Sequence, residues 1–301
     1  MRLWPACDGA CMTPLTPFGT RVGPAAGAVM LAFALTGCLT AGGGGTPAAQ
    51  QQDENMAASP ANIASLTEVI QRNPNDPQAY NVRGTVLGRG GRHQEALGDF
   101  NKAVSLDPNY AQAYSNRGLV YRQIKKYDLA LADYNRALEI DANYAPAYLG
   151  RGMVYRQQNQ PMPAFEDFNK AIALKPDNSQ AYHNRGLLYQ TQKQHKFAIE
   201  DFTTAVGLAP KEGEPRVARG LSYMAINDFD AAAKDLDDAV QSDPDNLQAW
   251  VSRGLAYERL GDKQKAAGSY ARALNLRPNY EAAKAGFTRV GGRAGQNYQT
   301  F

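Results

Sequence analysis

Between residues 77 and 280 the apolar positions return in the same order every 34 residues. The intervals open with an aromatic residue, a glycine and a second aromatic at their fourth, eighth and eleventh places, as in Tyr114, Gly118 and Tyr121, with Arg216 the exception at the fourth and Leu87 at the eleventh. Steps of four and three keep all three on one face of a helix. A second set follows, with alanine at place 20 (Ala96, Ala130, Ala164, Ala198, Ala232, Ala266) and a large residue at place 24 (Phe100, Tyr134, Phe168, Phe202, Leu236, Tyr270). Proline at place 32 then ends the pattern, because it cannot donate an i→i−4 bond; Ala142 stands there once. Each interval therefore predicts two helices. Glycine at place 8 and alanine at place 20 leave room for their backbones to approach.

The register is kept by Arg-Gly at 83–84, 117–118, 151–152, 185–186, 219–220 and 253–254. Six units begin at Pro77, Ala111, Ala145, Ser179, Gly213 and Leu247. The period and its Tyr, Gly, Tyr, Ala, aromatic, Ala, Pro skeleton resemble the tetratricopeptide repeat, or TPR, over about two-thirds of the chain. The resemblance implies an all-α fold, a right-handed superhelix of stacked antiparallel helix pairs with a concave groove. No unit can bury its face alone, so stacking is obligatory. Residues 60–76 match the second half of a unit and predict an N-terminal capping half-repeat. Residues 77–280 hold the six units, 281–290 predict a C-terminal capping helix, and 291–301 a flexible tail.

The N-terminal segment differs in kind. Ala25 to Leu35 is an apolar run of signal-peptide length, too short to span a membrane as a helix, and Arg21 precedes it. Leu35-Thr36-Gly37-Cys38 follows and resembles the bacterial lipobox, which implies cleavage after residue 37 and lipidation of Cys38. The segment before the apolar run is long for a charged flank, which fits a start at Met12 as well as at Met1; no metal role is attached to Cys7 and Cys11. Residues 38–59 carry four consecutive glycines and predict a flexible tether spanning roughly 25 Å. Leu39 follows the cysteine in place of the aspartate that signals inner-membrane retention in such lipoproteins. The resemblance thus implies a bacterial outer membrane location, lipid-anchored and facing the periplasm.

Composition narrows the chemistry. A net charge of +3 with mixed signs gives no basic footprint for nucleic acid. All three cysteines lie at or before Cys38, so the repeats have no disulfide framework. The three histidines show no ligand spacing with carboxylates, and no P-loop or nucleophile motif occurs; no metal, cofactor or catalytic residue is expected. Of the sixteen tyrosines, eleven fall on the skeleton places and are expected to be core.

Two features exceed the skeleton. Arginine occupies place 7 of every unit, and aspartate lies sixteen residues later in five: Arg83 with Asp99, Arg117 with Asp133, Arg151 with Asp167, Arg185 with Asp201, and Arg219 with Asp235. One structural charge pair per layer is expected, with Arg253 left to find another partner because Ser269 stands at its place 23. The second feature is the groove lining that the resemblance implies for places 2, 5, 6, 9, 12 and 13 of the first helix. There Asn81 and Arg89, Asn116, Arg122 and Gln123, Arg156 and Gln157, and His183 and Asn184 are candidate partner-binding residues. This lining is amide-rich and mildly basic, with no carboxylate expected before Glu258. It suits an extended peptide, with amides on its backbone and arginines on its carboxylates. The lysine and asparagine of the family's chaperone-tail clamp are missing, so that ligand is disfavoured.

These features lead to a non-enzymatic adaptor resembling bacterial TPR lipoproteins of the NlpI kind, with a protein or peptide partner in the groove and membrane contact through lipid alone. Two alternatives stay open: a pilot or assembly factor for a secretin in a pilus or secretion system, and a cytosolic scaffold if the signal is not one.

Overall fold

The computed structural model describes residues 58–293 together with 295, 296 and 298. The signal segment, the lipidation residue Cys38 and the tether up to residue 57 lie outside the described residues. Among those described there are fourteen helices and no strand. Helix α1 (Pro60–Arg72) stands alone at the start. Six pairs follow: α2 (Pro77–Arg89) with α3 (His93–Leu106), α4 (Ala111–Gln123) with α5 (Tyr127–Ile140), and α6 (Ala145–Gln157) with α7 (Pro161–Leu174). Then come α8 (Ser179–Thr191) with α9 (His195–Leu208), α10 (Gly213–Ala225) with α11 (Phe229–Ser242), and α12 (Leu247–Leu260) with α13 (Lys263–Leu276). Helix α14 (Glu281–Arg289) closes the array. Each helix packs on the next in sequence, and the first helices of neighbouring units also touch, giving an all-α superhelical solenoid.

Local chemistry sets the ends of the helices. Asp76, Asn178, Asp228, Asn246 and Asp262 cap their helices by accepting backbone N–H bonds. The turn inside each pair needs one residue of positive φ, always at place 15: Gly91, Lys125, Asn159, Lys193, Asn227 and Gly261. Lys125 and Lys193, both at φ 60°, hold a backbone conformation that glycine adopts without strain.

The core is a series of layers and not a single globule. Phe100, Tyr134, Phe168, Phe202, Leu236 and Tyr270 are each 1% exposed or less and sit between consecutive units. Their neighbours at places 20 and 27 are buried alanines, small enough to let the helices close on these rings. The last layer is finished by Ala283 and Val290, and Tyr298 meets Phe287 edge-on with ring centroids 5.7 Å apart. No helix among the described residues is long and apolar enough to cross a membrane.

Candidate functional site: the groove of the first helices

The arginines at place 7 build one side of each layer. Arg117 donates through Nε and Nη2 to the two carboxylate oxygens of Asp133, at 2.8 and 2.6 Å. Its Nη1 donates at 2.8 Å to Asn101 of the preceding unit, and its guanidinium lies 5.3 Å from the Tyr114 ring centroid. The same fork joins Arg83 to Asp99, Arg151 to Asp167, Arg185 to Asp201 and Arg219 to Asp235. Each spare nitrogen reaches place 25 of the unit before, at Thr67, Asn135, Asn169 and Thr203. Burial pushes the Asp133 carboxyl up and the Arg117 fork pulls it back, while the carboxylate raises Arg117 above its ordinary value. None of these residues lines the groove. Their chemistry holds layers together.

The sixth unit solves the same problem differently. Arg253 donates through Nε at 2.6 Å to Asp237, which stands at place 25 of the fifth unit where the four units before it carry Asn or Thr. Ser269 accepts a further bond from Arg253 at 2.7 Å, and Tyr257 donates to the second oxygen of Asp237, also at 2.7 Å. A pair that is formed within a unit elsewhere is formed here between units.

The other feature is a groove of about 830 Å³ that follows the first helices from Arg89 on α2 to Asn246 before α12. Arg122, Gln123 and Asn116 reach it from α4, Arg156 from α6, and His183 and Asn184 from α8. Two expected members are elsewhere. Asn81 is buried within the stack: its amide donates to Tyr110 at 3.2 Å, and its oxygen accepts from Asn116 at 2.9 Å. Gln157 is exposed and does not line the groove. Place 13 of this unit lies beyond the rim. Asn184, though in the lining, is 4% exposed and donates to Gln180 of its own helix at 2.7 Å. The amides thus serve the stack more than the opening.

The groove is not free of carboxylates before Glu258, because Glu212 and Glu214 line its far end where the Lys211–Pro215 junction folds over it. Glu214 stands at place 2 of the fifth unit, so the signal was present in the lining pattern. Burial and then Glu214 raise the Glu212 carboxyl. The groove therefore runs from an arginine-bearing stretch to an acidic junction. Met153 lines the groove as its repeat place implies, and sequence reasoning did not name the ring of Tyr134 or Leu149, which line it too. Tyr134 belongs to a second helix and was assigned to the core alone.

Place 12 shows which part of the groove is open. Gln190 in the fourth unit is tied to Ala218 and Ser222 of the next, both at 3.0 Å. Glu258 in the sixth is tied to Arg289 at 2.8 Å. Arg122 and Arg156 of the second and third units form no ion pair among the described residues, and the buried Nε of each has no hydrogen-bond partner. Burial first, and the charge of Arg122 second, hold Arg156 below its ordinary value. His183 is pushed down to about 4 by burial and then by Arg156, so its imidazole is neutral near pH 7.

Comparisons with known proteins agree with this architecture. Tetratricopeptide-repeat models match residues 111–144, 145–178, 168–200 and 217–281, and a TPR-repeat model matches 89–125. The chain belongs to the tetratricopeptide-repeat family. No curated protein matches it. Among solved structures it is similar to pilF of Pseudomonas aeruginosa, at 20% identity and a TM-score of 0.66, over 71% of this chain and 97% of that one. It is similar to YrrB, described as a TPR protein with an unusual peptide-binding site, at 26% identity and a TM-score of 0.53, over 62% and 96%. It is also similar to the APC/C hetero-tetramer Cut9–Hcn1, at 18% identity and a TM-score of 0.67, where it covers 81% of its own length and 46% of that chain. The TPR array here therefore spans less than half of that longer relative. Among the described residues, no three His, Cys, Asp or Glu side chains gather as metal ligands.

Proposed function

We propose that this TPR protein is a non-enzymatic adaptor that captures an extended segment of a protein partner in the groove of its first helices. The observation that carries this reading is the pair Arg122 and Arg156, which line the groove with their Nε atoms buried and without hydrogen-bond partners. A buried polar group without a hydrogen bond costs free energy, and a ligand that supplies the acceptor recovers it. Peptide binding by YrrB, the neighbour at 26% identity, supports the same use of the fold. The amides that stay within the stack fix the layers, and the arginines are left to the ligand.

The junction Leu35-Thr36-Gly37-Cys38 supports the further reading that the adaptor is anchored by lipid on Cys38 at the bacterial outer membrane and faces the periplasm. Envelope assembly or maintenance is then the process it serves. Photo-crosslinking from Gln123 or Met153 in intact cells, followed by fractionation, tests both parts. The reading expects a discrete crosslinked partner and protein in the outer-membrane fraction. Crosslinks that appear only from the outer faces of the second helices would contradict the groove, and soluble cytosolic protein without lipid mass would contradict the anchor.

A further inference from the structure

Tyr134 and Tyr270 hold place 24 of the second and sixth units, where the remaining units carry phenylalanine or leucine. Each ring lies against a glycine at the sixth place of the next first helix. A Cβ on Gly150 would stand 2.4 Å from the Tyr134 ring and 2.6 Å from its hydroxyl oxygen, and a Cβ on Gly286 would stand 2.3 Å from the Tyr270 ring. Under phenylalanine the same place carries Asn116, Asn184 or Ala218, and under Leu236 it carries Ser252. Only the two tyrosines have a glycine there. The missing side chain makes room for the phenol to pass the neighbouring helix.

In the sixth unit the use of that hydroxyl is visible. Tyr270 donates at 2.7 Å to Glu258 Oε2, and Arg289 of α14 grips the same carboxylate at 2.8 and 3.0 Å. A tyrosine at place 24 and an arginine thus hold one carboxylate within this chain.

The second unit has the tyrosine without the carboxylate. Place 12, where Glu258 stands in the sixth unit, is Arg122. Tyr134 is 1% exposed, lines the groove, and has no hydrogen-bond partner at its hydroxyl. Arg122 Nε and Arg156 Nε, in the same groove, lack partners too. Arg122 acts on both the Tyr134 phenol and the Arg156 guanidinium, and Arg122 Nε, Arg156 Nε and the Tyr134 hydroxyl each still lack a hydrogen-bond partner. A carboxylate offers two oxygens with about four lone-pair sites, enough for all three. An amide or hydroxyl offers one oxygen and no charge to balance the two guanidinium groups.

We propose that Arg122, Tyr134 and Arg156 form a seat for one carboxylate of an acidic residue in the partner's bound segment. This rests on the reading of the groove as the partner-binding surface. Tyr134 is the residue that determines specificity, because its hydroxyl is buried and rewards an acceptor only at the position that both arginines also reach. Glu258, held by Tyr270 and Arg289, is the template within the same chain, and it is a carboxylate and not a phosphate.

The test uses the purified full chain, labelled with nitrogen-15, and follows the guanidinium Nε–H resonances of Arg122 and Arg156 by NMR, assigned by loss in Arg122→Lys and Arg156→Lys. The probes are an acetylated, amidated hexaglutamate, the matching hexaglutamine, and inorganic phosphate. The expected result is a saturable downfield shift of both resonances with hexaglutamate and none with hexaglutamine. Tyr134→Phe should bind hexaglutamate about tenfold more weakly, the loss of one hydrogen bond to a charged group. Its thermal midpoint should not fall, since phenylalanine fills this place in three other units. Equal affinity in Tyr134→Phe, the same shift with hexaglutamine, or tighter binding of phosphate would each overturn the seat. Any of these would leave partner crosslinking from Gln123 and Met153 unaffected, so the seat and the groove fail separately.

Discussion

Arg253 bonds Asp237, sixteen residues before it, at 2.6 Å; the other five place-7 arginines each fork onto an aspartate sixteen residues after. The exchange of Asp for Ser at 269 and of Asn or Thr for Asp at 237 moved the negative charge across the unit boundary and kept the arginine neutralised. Arg253 is the most buried arginine of the set, with a side chain 4% exposed.

Loss of Asp237 should therefore be costly. Asp237→Ala leaves the buried Arg253 with Ser269 alone and strands the Tyr257 hydroxyl, a loss of about 2–4 kcal/mol. Asp238→Ala, next to it but 53% exposed, should change stability by less than about 0.5 kcal/mol. Urea unfolding of both variants compares them, and equal costs would show that the bond across the boundary contributes nothing.

Arg117 and Asp133 should be strongly coupled. Their side chains are 17% and 7% exposed, so removal of either partner leaves a charge with limited access to water. Arg117→Met and Asp133→Ala should each cost about 2–4 kcal/mol, and the double variant clearly less than their sum. A double-mutant cycle with no coupling energy would remove the pair from the list of stabilising features.

Gly150 and Gly98 should respond to alanine with opposite signs. Gly150→Ala drives a Cβ into the Tyr134 ring and should destabilise by about 1–3 kcal/mol. Gly98→Ala meets nothing within 4 Å on an exposed face of α3 and should stabilise by about 0.5–1 kcal/mol through helix propensity. Thermal melts of the two variants decide the matter. A tolerated alanine at 150 would mean that the phenol has no need of the gap.

His183 should make stability depend on acid. Its folded pKa, held at about 4, lies below the ordinary 6.5, so the unfolded chain binds the extra proton first as pH falls. The stabilisation is fully present above about 6.5 and is lost progressively as pH drops towards about 4. Between pH 7 and about 4.5, wild type should lose about 1–2 kcal/mol more than His183→Gln, allowing for water at the ring. Identical pH slopes for the two proteins would place the imidazole in solvent.

The sequence made the architecture legible because the place-7 arginines, the place-20 alanines and the large apolar or aromatic residues at place 24 are strict in register, and register is what stacking selects. The site was only half legible. Arg122 and Arg156 could be placed on the groove because both sit at place 12 of a first helix. Asn81 was misplaced because its partner, Tyr110, lies in the turn before the next unit, where the repeat pattern assigns no role. Tyr134 was hidden by its own place in the skeleton: a ring at place 24 is core by periodicity. Only the glycine sixteen residues later, at 150, marks the phenol as passing through to the groove. Glu214 was legible at place 2 of its unit and was overlooked, whereas Glu212 lies in the junction after Pro210, where the repeat pattern assigns no lining place.

Capture of the partner by a groove-reversed protein is the most direct measurement. Arg122→Glu combined with Arg156→Glu inverts the charge of the open stretch without touching the place-20, place-24 or place-7 residues that hold the layers. Equal helix content by circular dichroism establishes that the variant is folded. A pull-down from envelope extracts should then recover the crosslinked partner with wild type and lose it with the double variant. Undiminished capture by the folded variant would contradict a binding groove on the first helices and move recognition to another face of the solenoid.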